Sequence, residues 1–123
     1  MNVEQLREYA LSLMGVTEDQ AFGDDIINFR LEGKIFACLC LGGVKEHKGG
    51  EPRIALKLPP DRNLELRERF AFVTPAWHWN KKHWSDVRYD KLEDAQVMEW
   101  VSESYRLVAS KLPKAIRTKY LPG

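Results

Sequence analysis

Several features that mark a functional class are scarce in this 123-residue chain. The longest apolar run, residues 35–41, is far shorter than a membrane span and is typical of a buried strand. No G-x-x-x-x-G-K-S/T or G-x-G-x-x-G motif occurs, and no serine lies in a nucleophile-elbow pattern. We therefore expect a cytoplasmic protein with no membrane segment and no cofactor. Catalysis is not the expected activity, although scattered catalytic residues would leave no motif.

Residues that bind metals are also few and badly spaced. The only cysteines, Cys38 and Cys40, form neither a zinc-ligand pattern nor a C-x-x-C redox motif. We expect two reduced thiols that are buried on one face of a strand. His78 and His83 are five residues apart, a spacing that shares a face in neither a helix nor a strand. The sequence therefore predicts no metal site.

The net charge is only +1, but the charges are unevenly distributed. Residues 1–25 hold six acids and one base, whereas the chain from Ser104 onward holds five bases and no acid. Such an asymmetry permits a surface that faces a polyanion, and it is equally compatible with a solvated face.

Periodicity predicts an α+β fold that forms a single domain over residues 1–123. Apolar residues at helical spacing up to Met14, with Asn2 as N-cap and Gly15 as the stop, indicate a first helix. Two strands joined at Glu32-Gly33, followed by a third at residues 53–58, form a predicted three-strand meander. Polar and apolar residues alternate along the third strand, so one face is expected to be buried and the other mostly exposed to solvent.

The second half of the chain predicts a short helix, further strands and a long C-terminal helix. Asp61 is expected to cap the short helix, and residues 70–74 and 84–89 are expected to form strands. The long helix carries an apolar stripe and ends before Pro113. An antiparallel sheet with one face covered by the two long helices follows from this order. The stripe consists of Val97, Trp100, Val101, Ser104, Val108 and Leu112.

Three tryptophans, Trp77, Trp79 and Trp84, lie close together around the paired lysines Lys81 and Lys82. Burying one tryptophan removes roughly 150–250 Å² from water, so several exposed together would form an unusually large apolar patch. We expect at least two of the three to pack in the core or on a sheet face. The alternative is that one stacks on a nucleic-acid base or another ring between the lysines. Both roles are compatible if the strand has a wet face.

Four sequence elements together resemble the MmcQ/YjbR family of small bacterial proteins, in the same order and over essentially the whole chain. They are Gly33-Lys34, Lys57, the segment His78-x-Asn80-Lys81-x-His83-Trp84-x-x-Val87, and Ser104-Tyr105-x-x-Val108. The resemblance implies a fold similar to CyaY/frataxin. The family is commonly labelled DNA-binding because of a double-wing arrangement of hairpin loops.

If that label applies, the wings are the loop around Glu32-Gly33 and residues 42–52. Asn80 is the residue expected to reach a base edge or sugar, because amides pair bidentately with adenine. No strongly basic recognition helix is present, so most contacts would be to the backbone and sequence specificity would be low. In the alternative interpretation Asn80 organises a turn and Lys81 is solvated. The residues expected to contact phosphates are Lys34, Lys45, Lys48, Lys57, Lys81, Lys82 and Arg88.

Two other function classes stay open at this point. A protein-interaction module, for example a homodimer, would show an exposed apolar patch that contains a tryptophan. A small-ligand binder or an enzyme would show a concave pocket with converging polar groups.

Overall fold

A computed structural model of the chain describes residues 1–41, 51–77 and 79–121. It contains a six-stranded antiparallel sheet with the spatial order β1-β2-β3-β4-β6-β5. The predicted α+β class is therefore confirmed. The strands are β1 Val16–Asp19, β2 Ile26–Leu31, β3 Lys34–Cys40, β4 Arg53–Lys57, β5 Val73–Pro75 and β6 Trp84–Val87, and the helices are α1 Val3–Ser12, α2 Pro60–Arg69, α3 Asp94–Ser110 and α4 Lys114–Arg117.

Helix α1 begins with the predicted capping box. The Asn2 side chain accepts a hydrogen bond from the Gln5 N–H at 2.8 Å, and the Gln5 side chain accepts one from the Asn2 N–H at 3.0 Å. Its buried side is formed by Leu6 and Ala10. Met14 was expected on the same stripe, but the helix ends at Ser12 and the Met14 side chain is 65% exposed.

Helix α3 packs its predicted stripe against β2, β3 and β4, while α1 contacts both β1 and α3. The two long helices thus cover one face of the sheet and enclose the main core. Helix α3 ends at Ser110, before Pro113, as predicted. No helix in the described part of the chain is both long enough and apolar enough to cross a bilayer.

The hairpin between β2 and β3 turns at Glu32 and Gly33, whose φ angles are 50° and 79°. Two successive residues with positive φ are typical of the two-residue type I′ turn, which confirms the hairpin prediction. The register of the hairpin shifts between Phe29 and Arg30, so Phe36 has no partner across the ladder. This β-bulge leaves the Phe36 carbonyl to accept a hydrogen bond from the buried Ser104 hydroxyl at 2.5 Å.

Three predictions about the bounds and caps of elements were wrong. Strand β1 lies where only a polar link was expected, because Val16–Asp19 gains its partner by pairing with β2. Asp61 does not cap α2, since that helix begins at Pro60 with Pro59 as N-cap and no side-chain hydrogen bond. The predicted strand at 70–74 is also displaced, and β5 covers Val73–Pro75 instead.

The second face of β4 is buried, although its alternation predicted a mostly wet face. Arg53 is 3% exposed and Ala55 is 2% exposed. A second, smaller apolar cluster covers this face, which lies opposite the helices because residues alternate along a strand. Its buried members are Cys38, Ala55, Ala76 and Trp84, and Ile26, Ile35 and Trp79 pack against them.

Candidate functional site

The segment between β5 and β6 folds back as a tight turn that begins at Asn80. The Asn80 Oδ1 atom accepts a hydrogen bond from the Lys82 N–H at 2.9 Å, and its carbonyl accepts from the N–H groups of His83 and Trp84. An asparagine that binds the backbone two residues later is the expected Asx turn. The interpretation of Asn80 as a turn-organising residue is therefore confirmed.

Helix α2 fixes this turn through two polar side chains. The fully buried Asn63 donates to the carbonyls of Leu58 and Lys82 at 2.9 and 3.1 Å, and accepts from the Ser85 hydroxyl at 2.7 Å. Arg67 donates to the carbonyls of Lys81 and Trp84 and to the Ser85 hydroxyl. Burial lowers the pKa of the Arg67 guanidinium from its ordinary value. These bonds tie the backbone of the turn to α2 and give the buried Leu58 carbonyl a donor.

The residues before the turn are held against the sheet by charged groups. The Lys81 ammonium donates to the carbonyls of Ala76 and Trp77 at 3.0 and 3.4 Å. The Trp77 N–H donates to the Asp86 carboxylate at 3.1 Å, and Arg53 Nε lies 3.4 Å from the same carboxylate oxygen without hydrogen-bond geometry. Both charged side chains of this ion pair are buried, so the pair forms part of the second sheet face.

The tryptophans of this segment have three different environments. Trp84 is buried, and Trp79 is half-buried and stacked on it with ring centroids 4.3 Å apart and an interplanar angle of 25°. Phe22 lies 6.3 Å from Trp79. Trp77 is 41% exposed. Two of the three tryptophans therefore pack on the sheet face, as expected.

A cleft of about 680 Å³ lies at the end of the sheet where β4 ends and β6 begins. The turn at Asn80 forms one of its walls, and the last turns of α3 form another. No carboxylate lines it among the residues described, 1–41, 51–77 and 79–121. Its polar lining consists of Arg30, Lys34, Lys57, Asn80, His83 and Lys111, and its apolar lining of Ile35, Leu58, Pro59, Pro60, Trp79, Trp84, Leu107 and Val108.

The four cations of this cleft differ in how they are held. Arg30 contacts the Asp19 carboxylate and donates to the Gly33 carbonyl at 3.0 Å. This guanidinium, together with further hydrogen bonds to the carboxylate, lowers the pKa of Asp19 to about 2. Lys34, Lys57 and Lys111 make no ion pair within the described part of the chain. The cleft therefore offers three uncompensated lysine charges beside one arginine that is already paired.

The buried Ser104 fixes the strand end that carries Lys57. Its hydroxyl accepts a hydrogen bond from the Lys57 N–H at 3.1 Å while donating to the bulge carbonyl of Phe36. The Tyr105 hydroxyl that follows donates to the Met14 carbonyl at 2.6 Å. The Ser-Tyr pair of the sequence motif thus has a structural role, because it joins α3 to β3, β4 and the end of α1.

The residues predicted to contact DNA divide into four groups in the structure. Lys34, Lys57 and Asn80 line the cleft together. Lys81 and Lys82 lie on the adjoining turn, where Lys81 binds carbonyls and Lys82 is exposed. Arg88 lies beyond the far end of β6 and pairs with Glu51 and Asp90 at 3.1 and 3.4 Å. Lys45 and Lys48 lie outside the described residues.

Three polar residues of the cleft were missing from the sequence prediction. Lys111 belongs to the acid-free C-terminal segment, and Arg30 is a charged position in a mostly apolar strand, so both carried a weak signal. His83 is part of the family motif, but the sequence analysis assigns it no role in binding a ligand other than a metal. The described residues contain no cluster that could hold a metal ion, and His78 lies outside them. Cys38 and Cys40 are free and buried, as expected.

Comparison with known proteins places this architecture among small proteins without a named activity. The uncharacterised protein YbdF of Escherichia coli O157:H7 is 29% identical over 121 residues, which are 98% of this chain and 94% of that protein. Deinococcus radiodurans protein DR2400, with domain DUF419, has a similar crystal structure, with a TM-score of 0.83 at 28% identity over 99% of this chain and 93% of that one. A Pseudomonas syringae crystal structure gives a TM-score of 0.72 at 26% identity over 87% of this chain and 98% of that one.

The sequence model of the YjbR family matches residues 11–107, which include the hairpin, the turn at Asn80 and the Ser-Tyr pair. This match spans well over half of the chain and agrees with the resemblance of its motifs. The chain belongs to the YjbR family.

Proposed function

We propose that the protein binds nucleic acid at the end of the sheet where the cleft opens, mainly through phosphates and with low sequence specificity. The observation that carries the proposal is the convergence of Lys34, Lys57 and Lys111 from three separate elements. Uncompensated cations grouped on one side supply the sequence-independent part of nucleic-acid affinity. Exposed Lys82 on the adjoining turn extends the same surface.

Electrostatic balance selects these residues over the other basic positions. Arg88 faces two carboxylates that offset its charge, and the Lys81 ammonium keeps its charge but is held by two carbonyls of its own segment, so neither is included in the proposed interface. The Asn80 Oδ1 atom accepts a hydrogen bond from the Lys82 N–H, so the NH₂ group of the same side chain is the part that would bind a ligand. It would then donate to an acceptor such as a base carbonyl, a ring nitrogen or a phosphate oxygen.

The test is a binding titration with duplex and single-stranded DNA between 50 and 200 mM salt. Four phosphate contacts predict a slope near −3.6 for the duplex, from about −0.9 per contact, and near −2.8 for the single strand, from about −0.7 per contact. These slopes correspond to a loss of affinity of about 150-fold for the duplex and about 50-fold for the single strand over this range. Lys57→Gln and Lys111→Gln should each reduce the duplex slope by about 0.9. Lys91→Gln is the matched control, because Lys91 is exposed and lies outside the cleft. Absence of binding at 50 mM salt, or affinity that is insensitive to salt, would refute the proposal.

A second candidate function is protein association along β5, which is an edge strand of the sheet. It is favoured by Phe72 and Trp77, which flank this strand and are 42% and 41% exposed. An edge strand with apolar neighbours can pair with a strand of another chain. Sedimentation velocity should then show mass that rises with concentration and falls in Trp77→Ser. A monomer at all concentrations would eliminate self-association.

A further inference from the structure

We propose that the cleft binds a nucleotide unit that carries a terminal phosphate monoester. This inference rests on the proposed function and names the part of the nucleic acid that the cleft recognises. The ligand is the same chemical group whether it is the 5′-phosphorylated end of a strand or a free mononucleotide. The experiment below separates these two sources.

The size of the cleft fits a single nucleotide unit. Its volume of about 680 Å³ lies within the range of small-molecule sites, roughly 300–1,000 Å³. A duplex presents its phosphates on a convex surface, so it can contact the rim of such a cleft but cannot fill it. A single unpaired nucleotide can enter the cleft, and bases that a protein binds individually are taken out of the stack in this way.

The cleft has two chemically different walls. Most of its exposed wall is apolar, although four cations line it. A surface that binds only phosphates does not require the apolar wall formed by Trp79, Trp84 and Pro59. A ligand with an anionic end and a flat apolar body satisfies both walls, and tryptophan is the side chain that provides the largest contact area for such a body.

The aromatic wall is also packed before any ligand binds. Trp79 stacks on Trp84 with ring centroids 4.3 Å apart, and the tilted ring of Phe22 lies 6.3 Å from it. The turn that carries it is fixed by Asn63 and Arg67 of α2. A wall that is already ordered loses little conformational entropy when a ligand packs against it, so it favours binding.

The charge of a phosphate group depends on whether it is terminal or internal. A terminal phosphate monoester carries about −1.5 to −2 charges near neutral pH, whereas an internal phosphodiester carries one. The three lysines Lys34, Lys57 and Lys111 have no ion-pair partner within the described residues. Three adjacent cations bind a dianion more strongly than a monoanion. The cleft should therefore discriminate a phosphorylated end from the same end with a hydroxyl group.

The experiment compares four ligands at one salt concentration, with intrinsic tryptophan fluorescence as the readout. They are a short single strand with a 5′-phosphate, the same strand with a 5′-hydroxyl, a blunt duplex without terminal phosphates, and adenosine 5′-monophosphate. The 5′-phosphate should increase the affinity of the strand at least tenfold. Lys57→Gln should remove most of this difference, while Lys91→Gln should preserve it. Thermal unfolding of each variant checks that it is folded.

The outcomes separate this inference from the proposed function. Equal affinity for the phosphorylated and hydroxyl strands overturns the inference and leaves nucleic-acid binding intact. Binding of adenosine 5′-monophosphate without binding of any strand supports the inference and overturns nucleic-acid binding. Binding of the duplex in preference to every other ligand overturns the inference, and failure of all four ligands to bind overturns both proposals.

Discussion

Replacing Ser104 with alanine tests the connection between helix α3 and the strand end that carries Lys57. The Ser104 side chain is fully buried, and its hydroxyl makes two hydrogen bonds to the backbone. It donates to the Phe36 carbonyl at 2.5 Å and accepts from the Lys57 N–H at 3.1 Å. Ser104→Ala leaves both backbone groups without this partner in a closed environment.

The magnitude follows from these two bonds. A buried backbone group left unsatisfied costs about 1–3 kcal/mol, so two such groups at the lower end predict a loss of about 2–4 kcal/mol. The higher helix propensity of alanine offsets only about 0.5 kcal/mol. Because β3 and β4 carry Lys34 and Lys57 into the cleft, we also expect weaker binding of an anionic ligand.

Urea unfolding followed by tryptophan fluorescence measures the effect as a lower midpoint at an unchanged slope. Ser110→Ala is the matched control, since Ser110 lies on the same helix, is exposed and donates only to the Leu107 carbonyl at 2.6 Å. It should change stability by less than about 0.5 kcal/mol. If Ser104→Ala costs less than about 1 kcal/mol more than this control, the two bonds do not connect helix and sheet as we argue.

Three further predictions concern other parts of the fold. Asn63→Ala should lower the free energy of unfolding by about 2–4 kcal/mol in urea, because the buried Leu58 carbonyl loses its donor and the buried Ser85 hydroxyl loses its acceptor. Asp19 has a folded pKa of about 2, below its unfolded value, so its stabilising effect is present above about pH 4 and lost as pH falls toward 2. Acid titration of Asp19→Asn should therefore show a shallower loss of stability in this window. Gly15→Ala should lower the melting temperature, because Gly15 has φ +78° and a new Cβ would lie 2.6 Å from the Tyr120 ring.

Much of the fold was predictable because its signals are local. The Asn2 cap, the hairpin turn at Glu32 and the apolar stripe of α3 each depend on residues a few positions apart. Strand β1 gave no such signal, because its stability comes from pairing with β2 rather than from its own polar sequence. The likeness to frataxin and the double-wing label stay predictions.

The buried second face of β4 could not be predicted. The alternation of polar and apolar residues along a strand shows the polarity of each face, but it does not show whether another segment packs on that face. Arg53 is buried beside Asp86, which comes from another strand, and the two reach each other only after β4 and β6 have paired. Removing one member of such a buried pair costs more than an exposed pair could contribute, so the sheet face and the segment above it depend on each other.

Only part of the site could be predicted, because the sequence alone does not show at which end of the sheet each basic residue lies. Consecutive connections of an antiparallel meander lie at opposite ends of the strands. The turn at Glu32-Gly33 and the connection from Cys40 to Arg53 therefore begin at opposite ends of the sheet. Charge counting along the sequence gives basic residues at both ends equal weight. The sequence prediction therefore places Lys34 and Arg88 in one interface, although Arg88 lies beyond the end of β6 that is farther from the cleft.

The position of a basic residue along its strand therefore decides whether it belongs to the cleft. Lys34 begins β3 and Lys57 ends β4, so antiparallel pairing brings them to one end of the sheet. Lys111 follows the last turn of α3 at this same end. Carboxylates pair with several cations elsewhere, as at Arg88, but none lines the described part of the cleft. A small protein with nearly balanced charge can thus present a locally cationic site, because the field at a concave surface depends on the nearest charges rather than on the total.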